Sequence, residues 1–385
     1  MKWRGDKLKE LVKAQAFTQE AFSEAVGVTR PTYNAWIHGQ VPKGIHLIKI
    51  WKALGVKAED LFEGSQSAVQ VLPLHRKRGT AKNTETSDKA TLALAESFSG
   101  LFDDTDVPSL QLVAPIRSDA AAENVAIEMR KLMGLENAST PPTFLQVLHL
   151  LDQLKVCAIF TSFPKEIKDY AFYTQLRGSR VVFINTTTSV LDLVFPVLHE
   201  AVHAIRPVLE SSDQEEINRE EDFCDKVASL VQFPDAYIRE VRIALDGDGR
   251  HMQVLEAFAR QHAHVISGLA KRLGLLKKED RSYYVADAVL RKEIKKTLRD
   301  CLMPNEHASI YLKHLEQCSP RWFALLKKRC NKVTVSKLAE YVDVSHMDAK
   351  EVKSVLGMQE PTRRNKQRLG SALPSNPQSS IKKEN

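Results

Sequence analysis

Apolar positions recur at helical spacing through the first sixty residues. Leu8, Leu11 and Val12 mark one helix. Gln19–Val26 marks a second, which Thr18 can cap with its hydroxyl and Gly27 can end. Thr29 can cap a third helix with Pro31 in its first turn, where a missing N–H does no harm, and Gly39 ends it. A fourth follows around 47–54. Residues 65–88 then turn polar and lose all aromatics, the composition of a linker. From about 89 to 357 helical patterns dominate, broken by strand patterns at 156–160 and 180–185. The cluster Thr186-Thr187-Thr188-Ser189 is a turn and helix-start signal, and 191–205 reads as a buried helix. A small sheet packed on helices makes the expected class α+β, mostly helical. The expected division is an all-α domain at 1–64, a linker at 65–88, a mixed domain at 89–288, a helical region at 289–357 and a disordered basic tail at 358–385.

At 385 residues the chain is too long for one ordinary core. Hydrophobic residues at 43% and charged residues at 27% are typical of soluble globular protein. No apolar run is long enough for a membrane span, and the start has no apolar core of a secretory signal. Five scattered cysteines without metal-knuckle spacing read as free thiols in a reducing cytoplasm. The net charge of +7 permits a nucleic-acid partner. Part of it lies in the tail, which carries Arg363, Arg364, Lys366 and Arg368 among Pro, Ser, Asn and Gln.

Two short helices joined by a glycine turn are the layout of a helix-turn-helix. In the third helix Tyr33, Trp36 and Ile37 form an apolar face, which leaves Arg30, Thr32 and Asn34 to point outward near its N-terminus. In such a motif that end enters the major groove, where Arg30 can read a guanine edge; Gln19 is placed for a phosphate. Residues 18–39 resemble the Cro/CI-type (XRE) helix-turn-helix family, with Thr29 at the third-helix start and Trp36 near its end; the likeness covers about 8–62. It implies a double-stranded DNA operator contacted by Gln19, Thr29, Arg30, Thr32 and Asn34, and binding as a homodimer on two half-sites. Pro31 stands where a base-reading side chain is common.

The sharpest chemical signal is His199-Glu200-Ala201-Val202-His203. Histidines four apart share one helix face and can hold one Zn2+ ion, while the glutamate between them reaches a metal-bound water without ligating. Three protein ligands and an open fourth position make a catalytic zinc, and Glu200 then acts as general base. Two histidines and a glutamate inside an apolar helix are costly unless something satisfies them. Pro196 either kinks that helix or starts it. Candidates for the third ligand are Glu210, Glu215, Glu216, Glu220, Glu221 and Asp222; Glu221 is favoured because it opens the helical pattern 221–230. These segments resemble the ImmA/IrrE family of zinc metallopeptidases over about 121–275. There the family pattern E-x-x-A-N-x-F-A-A-x-L-L-M-P aligns with residues 221–234. Glu221 keeps the ligand position, while Cys224, Asp225, Val227, Gln232 and Phe233 depart from the pattern.

The remaining signals are weaker. His262 and His264 lie on different faces and read as surface or packing residues, and Tyr170 and Tyr173 are candidates to line the cleft. Residues 333–345 resemble a second helix-turn-helix without the glycine turn. The resemblances together imply a cytoplasmic, nucleoid-associated DNA-binding regulator whose zinc peptidase domain cleaves a specific repressor or toxin-like partner. The alternative is a repressor or antitoxin-like regulator whose zinc domain senses a ligand or partner and cuts nothing. A closed structural zinc site would need no general base, and Glu200 argues against it.

Overall fold

The computed structural model describes residues 2–42, 44–56, 61–63, 69–71, 85–103, 116–206, 214–247, 249–277, 279–302 and 307–358. Most of the expected linker, the candidate ligand Glu210 and the basic tail from 359 onward lie outside the described residues. Helices predominate, accompanied by a small sheet, so the chain is α+β and mostly helical.

The N-terminal core is built by α1 (Gly5–Ala14), α2 (Gln19–Val26), α3 (Arg30–Ile37) and α4 (Gly44–Leu54). Leu8, Phe22, Tyr33, Trp36, Ile50 and Leu54 fill it. A two-residue pair of strands, β1 (Lys2–Trp3) and β2 (Phe62–Glu63), closes the module. Thr18 caps α2 by accepting from the Ala21 N–H at 3.1 Å. Gly27 ends that helix at φ +73°, a conformation that costs glycine nothing. Gly5 has a different reason to be glycine: a Cβ there would lie 2.4 Å from the Trp36 carbonyl oxygen. Thr29 takes the extended backbone of an N-cap, yet its hydroxyl bonds the Thr32 hydroxyl at 2.9 Å instead of a backbone N–H.

The main core lies around a four-stranded sheet of order β3-β5-β6-β4. Here β3 is Val69–Val71, β4 Cys157–Thr161, β5 Ala171–Leu176 and β6 Ser179–Asn185. β4 and β6 run parallel; β5 and β6 form an antiparallel hairpin. Arg177 (φ +48°) and Gly178 (φ +80°) make its two-residue turn, the type whose twist matches the flanking strands. β3 falls inside the expected linker, so part of that polar stretch is an element of the sheet. Helices α5 (Glu85–Ser99), α6 (Asp119–Leu132), α7 (Phe144–Gln153), α8 (Val194–Ile205) and α9 (Gln214–Gln232) pack around the strands.

A second cluster is formed by α10 (Asp235–Gly247), α11 (His251–His262), α12 (Ile266–Leu273) and α13 (Ser282–Ile294). The helices beyond it are α14 (Leu298–Leu302), α15 (Ala308–Cys318), α16 (Pro320–Arg329), α17 (Val335–Val342) and α18 (His346–Met358). They do not form a core of their own. Leu298, Tyr311, Trp322, Leu338 and Leu356 belong to the same cluster as the sheet, because Phe98 of α5 contacts both Phe183 and Trp322. The expected division at 288/289 therefore has no counterpart in the packing.

The second helix–turn–helix pattern does form, in α17 and α18. Thr334 caps α17 as Thr18 caps α2, and Asp343 takes the left-handed turn at φ +53° in place of glycine. Its carboxylate is pinned by the hydroxyls of Ser162 (2.9 Å) and Thr186 (2.5 Å) and by Arg299 (2.6 Å). Those bonds offset the local strain of a non-glycine residue there.

Candidate metal centre and nucleic-acid interface

α8 carries the two histidines. Pro196 is its third residue, so its missing N–H falls in the first turn and it starts the helix rather than kinking it. The helix packs against β5, β6 and α9. His199 and Glu200 are almost fully buried.

Glu221 does not open its helix. α9 begins at Gln214, and Glu221 sits in its first half. The acidic run before it is the start of this helix, with Glu215 and Glu216 in the first turn, where carboxylates are favoured. Glu221 thereby projects from the wall of a helix packed on α8, and three donor residues converge. His199 Nε2 and His203 Nε2 are 3.1 Å apart. Glu221 Oε2 lies 3.2 Å from His199 Nε2, and Glu221 Oε1 lies 3.2 Å from His203 Nε2.

These separations test whether a metal fits. Ligands about 2.0–2.1 Å from a tetrahedral zinc sit about 3.3 Å from one another. The two imidazole nitrogens, and each nitrogen with its nearer Glu221 oxygen, nearly match that spacing. Both Glu221 oxygens are buried and neither has an aligned hydrogen-bond donor among the described residues. Burial raises the Glu221 pKa, but the two imidazoles outweigh it and hold the carboxyl far below its ordinary range. Burial likewise opposes charge on His199, and Asp225 and Glu221 overcome it, so its pKa is raised. A carboxylate and two imidazoles held this way suit a divalent cation.

The surroundings hold the ligands in place. Asp225 Oδ1 is 3.0 Å from His199 Nδ1, close enough to favour one imidazole tautomer electrostatically although the two are not aligned as a hydrogen bond. Lys271 of α12 lies 3.5 Å from the other Asp225 oxygen. Cys224 Sγ is 3.6 Å from His203 Nδ1, and burial pushes this thiol well above its usual pKa. A second grouping, His203 with Glu220 and Cys224, suits a metal less well. Burial disfavours its thiolate, and Glu220 is already gripped by Arg206 and Arg117.

Glu200 stands apart from the three donors. Its Oε2 accepts the Tyr173 backbone N–H at 2.7 Å, and burial pushes its pKa up to about 8 against the pull of His203. It forms part of the wall of a cavity of about 490 Å3 that also includes Tyr170, Phe195, Gln232 and Phe233. Tyr170 thus lines the cleft as expected, while Tyr173 contributes its backbone and keeps its ring buried. His264 is a packing residue: buried, with its Nε2 2.7 Å from the Tyr237 hydroxyl.

The residues that sequence reasoning missed are Asp225 as the partner of His199, the Tyr173 N–H, and the Arg206–Glu220 pair. Asp225 had a signal, since it lies four residues after Glu221 on the same helix face.

At the N-terminal module Thr29, Arg30 and Asn34 are exposed, and Gln19 and Thr32 are half-buried. Arg30 and Asn34 stand in the first turns of α3 with their side chains exposed, whereas the Thr32 hydroxyl is bonded to that of Thr29. Residues 8–61 match the family model described as Helix-turn-helix. No curated protein and no solved structure matches the chain. The N-terminal module is a helix-turn-helix, and the match supports a DNA-binding transcriptional regulator. Among the described residues no helix is long and apolar enough to cross a membrane.

Proposed function

We propose that this regulator carries a zinc-dependent metallopeptidase site and cleaves a specific regulatory protein. One observation carries the reading: His199 Nε2 and His203 Nε2 lie 3.1 Å apart and each is 3.2 Å from one oxygen of the Glu221 carboxylate, with Glu200 next to His199 on the same helix. His199, His203 and Glu221 would hold the ion. Zinc bound there supplies Lewis acidity, which polarises a carbonyl and acidifies water. Asp225 favours the ligating tautomer of the His199 ring. Glu200, held through Oε2 by the Tyr173 N–H, takes a proton on its carboxylate and returns it to the departing amine. Burial raises the Glu200 pKa, which makes its carboxylate a stronger base once that proton is lost. Phe195 and Phe233 give the cavity that Glu200 lines an apolar part of its wall. The helix-turn-helix positions the chain on an operator as a homodimer, and cleavage of the partner changes the regulatory output.

Glu200→Gln separates this reading from a zinc domain that only senses. The variant should keep its zinc and its operator affinity, while a protein that disappears in wild-type cells persists in the variant. Identical partner levels and identical repression in the two strains would sink the peptidase reading.

A further inference from the structure

We infer that α17 and α18, near the C-terminal end of the chain, form a second surface for duplex DNA. This surface is independent of the metal centre. The pair copies α2 and α3 step for step. α2 and α17 each have eight residues. A threonine caps each one, accepting from the Ala21 N–H at 3.1 Å and from the Lys337 N–H at 3.2 Å. A left-handed residue ends each one, Gly27 at φ +73° and Asp343 at φ +53°. Residues 27–29 and 343–345 then lead to the next helix. Even the side-chain bond at that junction recurs, between Thr29 and Thr32 at 2.9 Å and between Ser345 and Asp348 at 2.6 Å.

The buried and exposed positions coincide as well. Val342 is buried where Val26 is, and Ala349 and Val352 are buried where Tyr33 and Trp36 are. The positions of Arg30, Pro31 and Asn34 are taken by His346, Met347 and Lys350, all exposed. Charge favours DNA as the partner. Residues 320–385 hold 14 lysines and arginines against 6 aspartates and glutamates. The whole chain holds 55 against 48, so residues 1–319 carry no net positive charge. The excess that draws in a polyanion therefore lies at this end of the sequence. Two acidic groups of the pair are engaged locally, Glu340 with Lys337 at 2.5 Å and Asp348 with Ser345. A protein partner would call for an outer face poor in charge, whereas His346, Lys350, Glu351 and Ser354 make this one polar. Lys350 is the phosphate contact, and Lys332, exposed just before α17, flanks it.

The test mixes full-length protein with a labelled random-sequence duplex several helical turns long and follows affinity by fluorescence anisotropy as salt is raised. Lys350→Ala should lower the slope of log affinity against log salt by about one, the loss of one phosphate contact. Lys350→Arg keeps the charge and should keep the wild-type slope. Circular dichroism of both variants should match the wild type. A second measurement separates α18 from the basic segment that follows it. Met347→p-benzoylphenylalanine sets a photoreactive group on the outer face of α18, and irradiation should join it to the duplex. An unchanged slope in Lys350→Ala, or irradiation that joins no DNA at position 347, would overturn the inference. Adducts between two protein chains in place of DNA would assign this face to a protein partner and overturn it as well.

Discussion

Glu220→Gln should destabilise the main core by about 3 kcal/mol. Glu220 and Arg206 are both almost completely buried. The guanidinium grips the carboxylate with two bonds, one from Nε and one from Nη2 at 2.8 Å. Arg117 adds a bond at 2.6 Å from a position that is a quarter exposed. Removing one partner of a buried pair costs about 3–5 kcal/mol, because the other charge stays behind unmatched. Glutamine keeps a hydrogen bond, and Arg206 retains Phe223, whose ring centre lies 4.3 Å from the guanidinium; both place the loss at the low end. Arg206 also closes the helix that carries His203, so the site loosens with the pair. Urea unfolding followed by the fluorescence of Trp322 measures the effect, since the other tryptophans all lie within the first 51 residues. The deficit should shrink in acid. Burial raises the Glu220 pKa, but its bonds to Arg206 and Arg117 outweigh that and leave it lowered. Its contribution is therefore complete above the unfolded-state value of 4.5 and is lost as pH falls through the folded value. Pairing Glu220→Gln with Arg206→Met should cost less than the sum of the single changes. A single-variant loss under about 1 kcal/mol, or a deficit that does not change with pH, would refute the account of this pair.

Three further outcomes follow from other parts of the structure. Asp225→Asn should weaken zinc binding about 10- to 100-fold, measured by competition with a chelator, because His199 loses the carboxylate beside its Nδ1; an unchanged affinity would remove Asp225 from that role. His264 is buried, which lowers its pKa from 6.5 to about 4, so the unfolded chain binds the extra proton between those values. Stability should therefore rise by up to about 3 kcal/mol from pH 4 to 6.5, a slope that His264→Gln should flatten in thermal unfolding. Arg30→Ala should lower affinity for the best duplex selected from random DNA and relax its preferred sequence at one position, worth about 1–3 kcal/mol in discrimination. Selection of the same sequence at the same affinity would exclude Arg30 from base reading.

The N-terminal module was legible because its signals are local. Thr18, Gly27 and Gly39 punctuate the helices within a few residues of where they act. The H-E-x-x-H pair was legible for the same reason, since one helix turn sets its geometry. β5 was not legible, because its residues are buried on both faces and leave no alternation to read. Its one clue was Arg177-Gly178, a two-residue turn placed directly before the visible strand β6. The pattern was counted from Glu221 although α9 begins at Gln214, because a charged run carries no apolar periodicity, and only packing on α8 turns Glu220 and Glu221 inward. The union of the C-terminal helices with the sheet core depends on contacts such as Phe98 with Trp322, more than 200 residues apart in sequence.

Metal content of the purified full-length protein tests the centre most directly. The wild type and Glu200→Gln should each carry one equivalent of zinc by atomic emission, and His199→Ala and Glu221→Ala should each carry little. A full equivalent retained by Glu221→Ala, or a wild type that takes up no zinc, would contradict the assignment of His199, His203 and Glu221 as its ligands.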